Sequence, residues 1–252
     1  MTLAQSIADL RNPLLADGKI DLTETAILLR MVKPHALMGN PNAIELEKLL
    51  FRVREDGIIT PEESDEVIRM LEKIGSAKLK LAEYVRAIPD FPKPGVLFRD
   101  VTGLLDTSEG FSLTLDAISE SLEGTPFDVV AAPESRGFIF GAALAARFRK
   151  AFVPIRKPGK LPRETISEEY DLEYGKAILH MHKDAIIQGE RAIVVDDLLA
   201  TGGTAAAAAR LVERLGGTVV KMVFPIELEG FQARANALKD YDVESLVRYP
   251  GK

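Results

Sequence analysis

Two spacings of hydrophobic residues divide this chain. Up to about residue 75, apolar positions recur every three or four residues. Ala26-Ile27, Leu28-Leu29 and Met31-Val32 form one stripe, which predicts a helix ending before Pro34. Ile44, Leu46, Leu49, Leu50, Phe51 and Val53 form a second, and Val67, Ile68, Met70, Leu71 and Ile74 a third. Further on, short apolar runs alternate with helical stretches. Strands are predicted near 129–132, 152–155, 177–182, 191–196, 219–226 and 243–248, and helices near 79–88, 109–123, 138–149, 203–215 and 229–239. Apolar strands alternating with helices mean a doubly wound, mainly parallel sheet. The pattern therefore predicts an all-α domain over 1–75 and an α/β domain over 76–252, joined by the small, polar Gly75-Ser76-Ala77-Lys78. The polar stretch from Pro158 to Tyr170 lacks a core pattern and reads as a lid loop.

The helical part contains a repeat. Ala16-Asp17-Gly18-Lys19-Ile20-Asp21-Leu22-Thr23-Glu24 matches Glu55-Asp56-Gly57-Ile58-Ile59-Thr60-Pro61-Glu62-Glu63 in its Gly turn, its aliphatic two residues later and its acidic helix start. The pattern resembles the second half of an EF-hand loop. The first and third loop positions, however, are Pro13 and Leu15 in one copy and Arg52 and Arg54 in the other, where calcium needs oxygen ligands. The expectation is a calcium-free helical repeat, similar to degenerate EF-hands or tellurite-resistance-type helical domains, that serves contacts or regulation.

Composition narrows the class. A chain of 252 residues with 46% hydrophobic content can bury a sizeable core, and a net charge of −6 disfavours general nucleic-acid or membrane-surface binding. With no cysteine, disulfides and thiol catalysis are excluded. No run is long and apolar enough for a transmembrane helix, and the first residues lack a signal-peptide pattern, so a cytoplasmic protein is expected. His180 and His182 share one strand face at a spacing that can ligate a metal, but no third ligand is evident, and half-buried sheet surface is the simpler reading.

The most specific chemistry lies in Ile193-Val194-Val195-Asp196-Asp197-Leu198-Leu199-Ala200-Thr201-Gly202-Gly203-Thr204. A β-branched strand ends in two carboxylates, and Thr-Gly-Gly-Thr then opens a helix. Amides at a helix start attract phosphate, and glycines let the backbone approach it. Carboxylates instead accept from hydroxyls, such as the 2′ and 3′ groups of a ribose. The segment reads as a site for a ribose 5-phosphate. It lacks the Lys of a Walker A loop and the Gly spacing of a dinucleotide fingerprint.

This segment resembles the phosphoribosyl-diphosphate motif of type I phosphoribosyltransferases. Three more segments sharpen the resemblance to the adenine phosphoribosyltransferase family: Ile88 to Asp100, Pro133-Glu134-Ser135-Arg136-Gly137-Phe138, and Arg156 to Gly175. The resemblance spans residues 79–252 and implies the type I phosphoribosyltransferase fold, an α/β fold here preceded by a small all-α domain. It implies transfer of a phosphoribosyl group to adenine, giving AMP and diphosphate in purine salvage. Asp196 and Asp197 would hold the ribose, and Ala200, Thr201, Gly202, Gly203 and Thr204 the 5′-phosphate. Arg136 would bind diphosphate and assist catalysis, with Lys157 and Lys160, and less strongly Arg156, closing over it from the same or a neighbouring subunit. Phe98 would stack on adenine, whose edge would lie against the backbones of Leu97 and Arg99, and Glu173 would be the acid/base group near N7, with Tyr174 sealing the site. Mg2+, carried mainly by substrate and water rather than by a protein cage, would be the cofactor. The family usually forms homodimers.

Two rival readings stay open. One is a phosphoribosyltransferase for 6-oxopurines such as xanthine or hypoxanthine, against which the Phe98 and Leu172-Glu173-Tyr174-Gly175 segments argue. The other is a non-catalytic regulator that senses phosphoribosyl diphosphate through the same fold. Residues 1–75 hold 9 Lys and Arg against 13 Asp and Glu, a poor footprint for DNA.

Overall fold

The structure, a computed structural model, describes Leu3, Ile7 and residues 18–37, 40–75, 77–171 and 175–251. Two compact units divide the chain: residues 1–83 with 112–124, and residues 84–111 with 125–252. The first contains helices α1 (Leu22–Leu37), α2 (Pro41–Arg52) and α3 (Pro61–Gly75). Helix α4 (Ala77–Tyr84) ends at its border, and helix α5 (Ser108–Ser121) belongs to it from Ser112 onward.

Leu28, Val32, Leu46, Leu50, Val67, Leu71 and Ile74, the stripes seen in the sequence, form the buried core of the helical unit. Both copies of the repeat start a helix by the same device. Asp21 accepts from the Glu24 amide while Glu24 accepts from the Asp21 amide, each at 2.8 Å. Thr60 and Glu63 repeat the exchange at 3.3 and 2.9 Å. These are reciprocal capping boxes. The Glu at the twelfth position of each EF-hand-like copy thus satisfies helix amides. Helix α1 runs through Pro34 to Leu37 rather than ending before it. Its last turn is held by a buried polar cluster: His35 and Asn40 bond Glu123, and Asn42 donates to Glu120 at 3.0 Å. Tertiary bonds here override the local penalty of a proline.

In the second unit a hairpin pairs β1 (Arg86–Pro89) with β2 (Leu97–Asp100), antiparallel. The helix expected over 79–88 therefore stops at Tyr84, because Ile88 pairs with Phe98 across the hairpin, a partner that periodicity cannot see. The main sheet contains β3 (Val129–Pro133), β4 (Ala151–Ile155), β7 (Arg191–Val195), β9 (Thr218–Leu228) and β10 (Val243–Tyr249) in the order β10-β9-β7-β3-β4, with the two-residue β8 (Leu198–Leu199) beside β9. Every pairing in it is parallel. Helices α6 (Arg136–Phe148) and α7 (Gly203–Arg214) connect its strands. Val194, Met222, Phe224, Leu211 and the run Ala205 to Ala209 are buried in its core.

Strands β5 (Thr165–Asp171) and β6 (Lys176–His182) form a separate antiparallel hairpin. Half of the expected lid loop is thus a strand, because residues 165–171 find a seven-residue partner in 176–182. The predicted helix over 229–239 is a 3₁₀ turn, Glu229–Phe231, followed by turns. Arg234 donates to Glu227 at 2.8 Å and also bonds the Val243 carbonyl, so this segment is held by cross-links rather than by a helical ladder.

Candidate active site

Taken in sequence order, the five long parallel strands lie 2-1-3-4-5. In such sheets ligands bind beyond the strand carboxyl ends, where the order reverses. That point lies between β3 and β7. The sequence puts Glu134-Ser135-Arg136 after β3 and Asp196-Asp197 after β7, so the topology brings these two motifs together.

The two motifs touch. Arg136 Nε lies 2.7 Å from Asp197 Oδ2; the Asp197 side chain is only 5% exposed, whereas that of Arg136 is 49% exposed. The ion pair lacks hydrogen-bond alignment, so this buried oxygen keeps an unmet bonding capacity that a hydroxyl donor would fill. Asp196 Oδ1 accepts from the Asp197 amide at 2.9 Å. Burial, and next the charge of Asp197, push the Asp196 carboxyl well above the usual carboxylate range, with Arg136 opposing them. Close packing enforces this arrangement. A Cβ on Gly137 would lie 2.8 Å from Asp196 Oδ1 and 3.0 Å from the Val195 carbonyl oxygen, so only glycine lets α6 begin so near the end of β7.

The loop that leads into α7 follows. Gly202 adopts φ +82° as the N-cap of α7 and makes no side-chain cap bond. A Cβ there would come within 3.2 Å of Ala233, Ala237 and Leu238, which pack over the loop. Ala200, Thr201, Gly202 and Thr204 line a small concavity with Asp196 and Ala205. Gly203 is the first residue of α7. Thr201, Thr204 and the first-turn amides of α7 are therefore in position to donate to an anion beside the carboxylates.

Other sequence candidates fall at different places. Leu97, Phe98 and Arg99 lie on β2, outside the parallel sheet. Phe98 meets Phe91 edge-on at 5.0 Å between centroids, and the Arg99 guanidinium sits 4.0 Å over the Tyr249 ring. Lys157 and Lys160 are exposed on the turn after β4. Arg156, weighed as an anion ligand, instead donates to Glu134 at 2.5 Å and to the Lys160 carbonyl at 3.2 Å, bracing both loops. Glu173 and Tyr174 lie outside the described residues. His180 and His182 bond Thr165 at 3.1 Å and Arg163 at 3.0 Å within their hairpin. Among the described residues no three His, Asp or Glu converge as a metal cage. Sequence reasoning missed Tyr170, whose hydroxyl accepts from Thr204 at 3.2 Å; its only signal was an aromatic in a polar stretch.

Comparison with known proteins agrees with this geometry. Residues 109–246 match the phosphoribosyl transferase domain family. Adenine phosphoribosyltransferase of Lachnoclostridium phytofermentans is 53% identical over 173 residues, 69% of this chain and 99% of that protein. The Thermotoga maritima enzyme of the same name is 52% identical over 172 residues, 68% of this chain and 99% of its own length. The crystal structure of adenine phosphoribosyltransferase from Thermoanaerobacter pseudethanolicus superposes with TM-score 0.66 at 49% identity, covering 68% of this chain and 99% of that one. That of the Saccharomyces cerevisiae enzyme, complexed with an imino-altritol bisphosphate and adenine, gives TM-score 0.64 at 36% identity, over 68% and 98%. With more than half of the aligned residues identical to those of such relatives along nearly their full length, the chain belongs to the adenine phosphoribosyltransferase family.

Proposed function

We propose that this chain transfers the 5-phosphoribosyl group of phosphoribosyl diphosphate to adenine, giving AMP and diphosphate. The observation that carries the reading is the junction of Arg136 and Asp197, 2.7 Å apart, beside the phosphate loop. In the reaction a bond forms between adenine N9 and ribose C1′ as the bond from C1′ to diphosphate breaks. Positive charge grows on the ribose ring and negative charge on the leaving group.

Asp196 and Asp197 accept the ribose hydroxyls and favour the cationic ring. Thr201, Thr204 and the α7 amides hold the 5′-phosphate, which fixes C1′ for in-line attack. Arg136 can turn its half-exposed guanidinium from Asp197 to the leaving diphosphate, where bidentate donation suits the charge. Lys157 and Lys160, on the turn after β4, close over the same group. Phe98 stacks on adenine, and the backbones of Leu97 and Arg99 read its edge. Glu173 takes or returns the proton at the imidazole edge of the base.

Carboxylates at the ribose end suit a magnesium ion that arrives on the substrate. That ion would neutralise diphosphate charge. The transfer chemistry is assigned to residues 76–252, of which 112–124 fall in the same compact unit as the helices of residues 1–75 with their degenerate EF-hand-like repeat. The reading places the chain in the cytoplasm as a homodimer.

The test is AMP formation from phosphoribosyl diphosphate and Mg2+, with adenine, hypoxanthine, guanine and xanthine offered in parallel and a Glu173→Gln variant alongside. Turnover of adenine alone, sharply reduced in the variant, is expected. Turnover of an oxopurine would give a different base specificity, and binding without turnover would favour a sensor.

A further inference from the structure

Strand β5 is fastened to helix α7 at three of its residues. Arg210 Nε donates to Glu168 Oε1 at 2.6 Å, and Arg214 Nη1 donates to Glu168 Oε2 at 3.0 Å and to the Ser167 carbonyl at 2.6 Å. Two residues further on, Thr204 Oγ1 donates to Tyr170 Oη at 3.2 Å. The Glu168 side chain is 18% exposed; burial opposes its charge, yet Arg210 and Arg214 hold it below the usual carboxylate range. Tyr170 packs against the core of the parallel sheet, which fixes where its hydroxyl points. The clamp therefore keeps the Tyr170 hydroxyl beside one particular phosphate-loop side chain.

A threonine hydroxyl has one proton and two lone pairs. In the structure the Thr204 and Tyr170 hydroxyls share one hydrogen bond, in which either can be the donor. A phosphate at the start of α7 is the stronger acceptor, because a hydrogen bond to a charged oxygen is about twice as strong as a neutral one. Thr204 then turns its O–H to the phosphate, and its oxygen is free to accept. The Tyr170 hydroxyl is a donor held at bonding distance of it. Tyr170 is then the donor of the bond between the two residues, and each hydroxyl polarises the next.

From this we infer that Tyr170 is a positioning residue for the 5′-phosphate, acting through Thr204. The inference rests on the phosphoribosyltransferase reading above. It also ties phosphate binding to the strand that leads, three residues later, to Glu173.

The experiment is a double-mutant cycle of Tyr170→Phe and Thr204→Val in the full chain. It is read as Kd for phosphoribosyl diphosphate by titration calorimetry and as KM for each substrate, with melting curves as a check on folding. Tyr170→Phe should raise Kd and KM for phosphoribosyl diphosphate about five- to tenfold, the effect of one hydrogen bond linked to a charge, and leave KM for adenine within twofold. In the Thr204→Val background the same change should add less than twofold. Thr204→Ser, which keeps the hydroxyl, should restore the dependence on Tyr170. An equal effect in both backgrounds, or a parallel rise in both KM values, would mark a merely structural tyrosine and overturn the inference. If Tyr170→Phe does not fold, 3-fluorotyrosine at position 170, similar in shape and a stronger donor, should lower Kd, and an unchanged Kd overturns the idea. A wild-type chain that binds no phosphoribosyl diphosphate removes the functional reading and this role together; one that binds it but shows an additive cycle removes only the role of Tyr170.

Discussion

Gly137→Ala is the sharpest probe of the switch point. The added methyl would stand 2.8 Å from Asp196 Oδ1, 3.0 Å from the Val195 carbonyl oxygen and 3.3 Å from Pro133 Cδ. Relief needs a shift of about 0.5 Å to reach ordinary contact distances. If Asp196 swings away, it drops the 2.9 Å bond from the Asp197 amide, and an orphaned buried donor costs about 1–3 kcal/mol. If α6 moves instead, overpacking costs about the same. Replacing glycine by alanine in a helix returns up to about 1 kcal/mol, so the loss of stability should be no more than about 3 kcal/mol. Activity should suffer more, because either route displaces a carboxylate proposed to hold the ribose. A misplacement on this scale should lower kcat/KM for phosphoribosyl diphosphate about 10- to 100-fold. Steady-state AMP formation, run beside a melting curve, measures both. A folded variant with kcat/KM within twofold of wild type would refute the argument that the packing of α6 on β7 sets the geometry of Asp196.

Three further outcomes follow from the same structure. Glu227 is buried and opposed by desolvation, but hydrogen bonds from Arg234 and Ser245 hold its carboxyl below its ordinary value of 4.5. Glu227→Gln should therefore destabilise the fold at pH 7 by about 2 kcal/mol in urea unfolding. Above pH 4.5 the wild-type advantage is complete; as pH falls through the lowered pKa it disappears, so a gap that persists in strong acid would contradict the assignment. Asp196 works in the opposite sense, because its carboxyl is raised above the ordinary 3.8. Over that window the folded chain keeps a proton that the unfolded chain has lost, so stability falls as pH rises. Asp196→Asn should melt progressively higher than wild type as pH is raised from about 4 and lose AMP formation by at least about 100-fold; a melting difference flat with pH would refute the raised carboxyl. Thr60→Ala removes one half of a capping box and should cost the helical unit about 1 kcal/mol by circular dichroism in denaturant, with no change in KM for either substrate.

What could be read from the sequence was what is local. The run from Ile193 to Thr204 encodes a buried strand and a helix start within 12 consecutive residues, with paired carboxylates between them, and both elements appear where expected; the positive φ of Gly202 is the structure's addition. The stripes of the helical unit were equally plain, because a helix buries positions three and four apart along one segment. What escaped depends on partners far along the chain. Residues 86–89 carry a helical pattern yet pair with 97–100, and residues 165–171 look like a charged loop until 176–182 supply the other strand. Glu168 and Tyr170 read as a solvated charge and a stray aromatic; only the packing of β5 on α7 shows that one is clamped by Arg210 and Arg214 and the other bonded to Thr204. The same distinction applies to the proposed site. Its ligand-touching groups lie in short motifs at strand ends, where backbone amides and carboxylates declare their chemistry in one dimension. The groups that support them — Glu134 and Arg156 bracing their two loops, Tyr170 behind Thr204, Ala233 and Leu238 over Gly202 — come from four separate segments, brought together by the 2-1-3-4-5 winding and by the β5-β6 hairpin beside it. Chemistry confined to one motif can be read residue by residue, whereas the support that sets its distances to a few tenths of an ångström is a property of the sheet order.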